Sequence, residues 1–125
     1  MTREFILNTL LPYKEDPNIC GFDGEEEVCL YKTKNGNRCA VGKHMKEGVW
    51  LQQIANASDV FGEFKKENVL THEALEQNLS NDIWEQMQKY HDSIALNIPV
   101  EKVNLGVQGL EELTDFKFPE LYFNE

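Results

Sequence analysis

Cys20, Cys29, Cys39 and His44 form a Cys-x8-Cys-x9-Cys-x4-His series within 25 residues. Four soft donors make a tetrahedral zinc set. Structural zinc sites, however, usually draw two ligands from one tight turn, and the sequence has no Cys-x2-Cys pair. If Asn35-Gly36 closes a two-residue turn, Lys32 faces Cys39 and Cys29 faces Gly42, so the two thiols project from opposite faces; a three-residue turn would place them on one face. The cysteines therefore read as small buried hydrophobes, with no metal and no cofactor assigned. A cysteine nucleophile would need a base such as His44 or His91 beside it and a source of pKa depression, and the sequence shows neither.

Trp84, Gln88 and His91 stand at i, i+4 and i+7 of a helical stretch and share a face, with Asp92 following. A ring, an amide and an imidazole in line can stack on a planar ligand and hydrogen-bond its edge. Together with Tyr31 and Asp92 they form the candidate ligand-binding set; no residue is assigned a catalytic role. The structural alternative makes Trp84 a core residue and His91 a boundary residue bonded to backbone. Adjacent His-Asp pairs also occur in metal phosphohydrolases, but those need further His and Asp ligands, and only His44 and His72 remain. Acidic residues cluster at Asp23 to Glu27 and at Glu111, Glu112 and Asp115, without an Asp-x-Asp-x-Asp-Gly calcium loop.

These side chains must be positioned by short elements. Residues 2–11 read as an amphipathic helix capped by Thr2, buried through Phe5, Ile6 and Leu10 and stopped by Pro12. Residues 12–24 read as a loop anchored by Ile19 and Phe22. The strand-forming run from Val28 to Thr33, the Asn35-Gly36 turn and the return from Asn37 to Val41 predict a β-hairpin over 27–42. Helices are expected over 48–57, after Ser58, and from a Thr71 cap to Leu75. A clearer one runs from the Ser80 cap to about Leu96, with Ile83, Met87 and Ile94 inward. Residues 100–114 can hold a short helix weakened by Gly106 and Gly109. The aromatic tail, 116–123, is extended in character and serves either as the closing layer of the core or as a self-association strip.

At 125 residues the chain fits a single domain spanning 1–125. Its 22 acidic and 12 basic residues, a net charge of −10, argue against direct nucleic-acid binding, which needs clustered Lys and Arg. No apolar run is long enough to span a membrane, and the N-terminus has no signal-peptide core, so a cytoplasmic setting with free thiols is expected.

The pattern Cys29-x-Tyr31-x4-Gly36-x2-Cys39-Ala40-Val41-Gly42, followed by Met87-Gln88-Lys89-Tyr90-His91-Asp92, resembles small uncharacterised proteins of bacteriophages and prophages. With the N-terminal helix, these blocks cover about half the chain. It departs from that pattern after Gly42, where Lys43-His44-Met45 replaces an apolar stretch. The resemblance implies a viral setting and a shared fold. The expected fold is α+β: an antiparallel β-hairpin, extendable by a third strand from the tail, packed with three to five short helices. The expected function is that of an accessory protein in the host cytoplasm. It would modulate or inhibit a host process, antiviral defence included, by binding a host protein or a small nucleotide-type ligand, with homo-oligomerisation open. The alternatives are a thiol- or His/Asp-dependent hydrolase of a small phosphorylated molecule and a structural protein acting by self-association. Tyr31 and Cys29 would face Trp84, Gln88 and His91 across one cleft.

Overall fold

A computed structural model describes residues 2–23, 28–29, 32–33, 35–47 and 66–124. Helix α1, Thr2–Glu15, buries Phe5, Ile6, Thr9, Leu10 and Tyr13, a stripe one turn longer than the sequence predicts. It runs through Pro12 instead of stopping there. The missing N–H forfeits one bond to Asn8, which lies on the exposed side, at a typical cost of about 3 kcal/mol. Tyr13 offsets this: its ring is buried and its hydroxyl donates to the Arg38 carbonyl. Asp16 then caps a 3-10 turn, Pro17–Ile19, by accepting from the Asn18 N–H at 3.1 Å.

The expected α+β architecture is overturned, because the described chain is mostly helical and the described residues of 27–42 form no continuous hairpin. Strand β1, Phe22–Asp23, pairs antiparallel with β2, Val28–Cys29, so that Cys29 lies opposite Phe22. Among the described residues, an isolated Lys32–Arg38 bridge is what flanks Asn35-Gly36. The Thr33 N–H donates to the Asn37 carbonyl at 2.8 Å, so three residues close the turn, with Gly36 at φ +89°. The physical reason lies in Cys39, Ala40 and Val41, which are almost wholly buried. A two-stranded ribbon leaves one face to water and is marginal alone. Here helices enclose the segment, and its N–H groups find non-strand partners: Val41 donates to Gln88 Oε1 at 3.0 Å and Gly42 to Cys39 Sγ at 3.3 Å. A 3-10 turn, Gly42–His44, follows.

This turn is fastened to the second half of the chain. Met45 bridges Leu70, the Lys46 N–H donates to the Val69 carbonyl at 2.8 Å and the Thr71 N–H to the His44 carbonyl at 2.9 Å. Helix α2, Lys66–Val69, leads into α3, His72–Glu76, capped by Thr71. Ser80 caps α4, Asn81–Ala95, whose buried residues are Trp84, Met87, Tyr90 and His91; Ile83 and Ile94 are only partly covered. Its C-terminus is a Schellman motif: Asn97 takes φ +56°, its N–H reaches the Ile94 carbonyl, and the Ile98 N–H reaches the Ser93 carbonyl. Pro99 opens α5, Val100–Thr114. Gly106 and Gly109 do not shorten it. Gln86 of α4 lies over them, donating to the Gly106 carbonyl at 3.0 Å.

The tail supplies no third strand. Asp115 ends α5 at φ +61°, and a 3-10 turn, Pro119–Leu121, buries Phe118 and Leu121 against the helices. Asn104 brackets Phe123, donating to its carbonyl at 3.0 Å and accepting from its N–H at 2.8 Å. Glu111 accepts from the Phe118 N–H and the Tyr122 hydroxyl. The expected helices over 48–57 and after Ser58, and the Asp23 to Glu27 cluster beyond Asp23, lie outside the described residues.

Candidate functional site

His91, fully buried, uses both ring nitrogens. Nε2 accepts from the Gly21 N–H at 2.9 Å, so the ring proton sits on Nδ1 and is donated to Asp92 Oδ1 at 2.8 Å. Gln88, one turn earlier, donates to the same Asp92 oxygen at 2.8 Å and accepts from Val41. Tyr13 meets the imidazole edge to face at 4.7 Å. Thus α4 ties the segments around residues 21 and 41 to α1 through one connected network. Burial pushes the Cys20 thiol up to about 12, with the Asp92 charge adding to the shift. Burial likewise pushes Cys39 up to about 12, although N–H groups of Gly42 and Val41 and the Gln88 amide act the other way. Thiols so placed are not thiolates at neutral pH.

His44 sits on the surface side of this core. Thr9 donates its one hydroxyl proton to the Phe5 carbonyl at 2.8 Å, so the 2.7 Å contact between Thr9 Oγ1 and His44 Nε2 must be an N–H donation from the ring. Burial, and then the neighbouring Lys43 charge, lower the His44 pKa to about 4. The neutral ring therefore carries its proton on Nε2 and a bare acceptor on Nδ1. Phe5 stacks on it at 4.5 Å in a tilted arrangement, and Trp84 meets it edge-on at 5.8 Å. The ring lines an open pocket of about 230 Å³ between α1 and α3. Glu4 and Asn8 of α1 form one wall, Glu73 of α3 and Gln77 at its C-terminal cap the other, with Lys43 and His44 between. The Lys43 ammonium is turned onto the Thr9 carbonyl at 2.9 Å and lies 4.4 Å from the Tyr13 ring centroid.

Of the sequence candidates, Gln88, His91 and Asp92 come together, while Trp84, two turns earlier along the same face of α4, packs against Phe5 and His44. Tyr31 and the Cys29 side chain lie outside the described residues, and with them the proposed cleft. Among the described residues no three His, Cys, Asp or Glu side chains gather closely enough to hold a metal ion. Also among them, no helix is long and apolar enough to cross a membrane. Sequence reasoning missed the His44 pocket. Its trace is a repeated acid–amide pair at i, i+4, Glu4/Asn8 and Glu73/Gln77, which places both groups on one helical face. Comparison with protein-family models, curated proteins and solved structures finds no match.

Proposed function

We propose that this chain is a binding protein of the phage-accessory kind, acting in the host cytoplasm to modulate or inhibit a host process through a host protein or a small nucleotide-type ligand. The observation that carries this reading is that, among the described residues, two thiols and the His91–Asp92 pair are committed to the core. Cys20 and Cys39 are buried thiols, and His91 and Asp92 are joined to each other and to the fold through Gly21 and Gln88. A hydrolase needs a nucleophile or base open to its substrate, so this arrangement supports binding over the thiol- or His/Asp-hydrolase alternative. Burial of Phe118 and Leu121 likewise draws the tail away from a self-association role. The setting rests on the sequence resemblance. Affinity capture on the tagged full-length chain in expressing bacteria, with mass spectrometry of proteins and small molecules in the eluate, tests it. A discrete stoichiometric partner or ligand is expected. Turnover of a phosphorylated substrate by the purified protein, with nothing captured, would replace binding by catalysis.

A further inference from the structure

We propose that the pocket between α1, α3 and the 42–44 turn is a receptor for a guanidinium group. The inference rests on the binding reading above and names the chemistry that one of its sites would take. The size of the pocket sets the first limit: at about 230 Å³ it lies below the roughly 300–1,000 Å³ of sites for drug-sized ligands, so it suits one side-chain-sized group.

Hydrogen-bond polarity sets the second limit. His44 Nδ1 has no hydrogen-bond partner among the described residues. Nor is it a sealed atom, since the only sealed unpartnered side-chain polar atom among them is Asn81 Oδ1. It thus offers a lone pair that is not sealed from solvent, on a ring that lines the pocket. The walls add the carboxylates of Glu4 and Glu73 and the amides of Asn8 and Gln77. The one cation of the lining, Lys43, is directed to the Thr9 carbonyl and the Tyr13 ring face, and Tyr13 is not part of the lining. Acceptors outnumber donors, and two negative charges face one diverted positive charge. A phosphate, all acceptor and anionic, meets repulsion here. A guanidinium is all donor, planar and cationic, with five N–H groups to spread over both walls. The net charge of −10 favours the approach of such a group.

The group can belong to an arginine side chain of a partner protein or to a free guanidino compound. An NMR titration of the full chain with methylguanidinium, a capped Gly-Arg-Gly peptide, sodium chloride and adenosine monophosphate separates these sources. Because open ion pairs are individually weak, the expected methylguanidinium affinity is ~1–10 mM. Saturable shifts should be confined to residues 4–9, 43–44 and 73–77. The variant combining Glu4→Gln and Glu73→Gln should weaken binding roughly fivefold to tenfold, and both positions are exposed, so the fold is retained. Tighter binding of the peptide identifies a protein arginine, while equal affinity points to a free compound. No saturable shift, an unchanged affinity in the double variant, or displacement by the nucleotide would overturn the proposal. The capture experiment separates the two readings. If the double variant still captures the same partner in full, the pocket inference falls and the binding function stands. If methylguanidinium binds but nothing is captured, the reverse holds.

Discussion

A buried N–H with an imidazole nitrogen as its partner depends on that nitrogen entirely, because water cannot take its place. His91→Ala leaves the Gly21 N–H unbonded and Asp92 without its imidazole partner, and it opens a void beside Tyr13. Chemical denaturation should therefore show a loss of about 2–5 kcal/mol. The thiols make a second test at this scale. In a Cys29→Ser background, Cys20 and Cys39 should not react with Ellman's reagent at pH 8 until denaturant is added, since burial holds both pKa values up to about 12. His44 carries the opposite sign of shift, a base lowered from 6.5 to about 4 chiefly by burial. Above pH 6.5 both folded and unfolded chains hold it neutral, and its contribution to stability is fully present. Between 6.5 and about 4 the unfolded chain binds the proton first, so stability falls as pH falls through that window. Because solvent reaches part of the ring, the expected excess loss relative to His44→Gln is on the order of 1–3 kcal/mol. Denaturation midpoints at pH 7 and pH 4.5 measure it.

Among the elements, α5 holds two glycines that differ in what a methyl group would meet. At Gly106 the nearest atom to an added Cβ is Gln86 Nε2 at 3.6 Å, ordinary contact, so Gly106→Ala gains helix propensity without a clash. Thermal unfolding should show stabilisation by about 0.5–1 kcal/mol. At Gly109 the same amide comes to 3.1 Å, and its Cδ to 3.3 Å, so Gln86 must shift and its bond to the Gly106 carbonyl weakens. Gly109→Ala should stay within about 0.5 kcal/mol of the parent, the propensity gain being offset. The same contrast shows which elements were legible in the sequence. Helix α4 was, because Ser80, the apolar spacing and Asn97 are all local signals. The extent of α5 was not, because its glycines answer to Gln86 on another helix. Pro12 misled for a similar reason: the fate of Tyr13, not local propensity, carries α1 onward. The hairpin failed because its turn signal is genuine but local, whereas the Val41 and Gly42 N–H groups are taken by Gln88 and the Cys39 sulfur and not by a partner strand.

On the scale of the whole molecule, contacts far apart in sequence decide both the site and the closing of the core. The His44 pocket draws on residues 4, 8, 44, 73 and 77, so no window of sequence contains it. Gln88, His91 and Asp92 were visible as a helical set, but their partners at 21 and 41 were not. The tail shows the same dependence at its strongest. Arg3 of α1 pairs with Glu120 at 2.7 Å and donates to the Lys117 carbonyl, and Lys14 donates to the Glu120 carbonyl at 2.9 Å. The Tyr90 hydroxyl of α4 donates to the Leu121 carbonyl at 2.8 Å, and Asn104 of α5 brackets Phe123. Three helices are thus joined by one irregular segment whose Phe118 and Leu121 are fully buried. The exposed Arg3–Glu120 pair contributes little, typically below about 1 kcal/mol, so the apolar anchors must dominate. Phe118→Ala should cost about 3–5 kcal/mol and Leu121→Ala about 2–5 kcal/mol, whereas Glu120→Gln should stay below about 1 kcal/mol. Urea titrations of the three variants would establish that order. A small Leu121→Ala loss together with a large Glu120→Gln loss would mean that the segment is held by charge and not by burial.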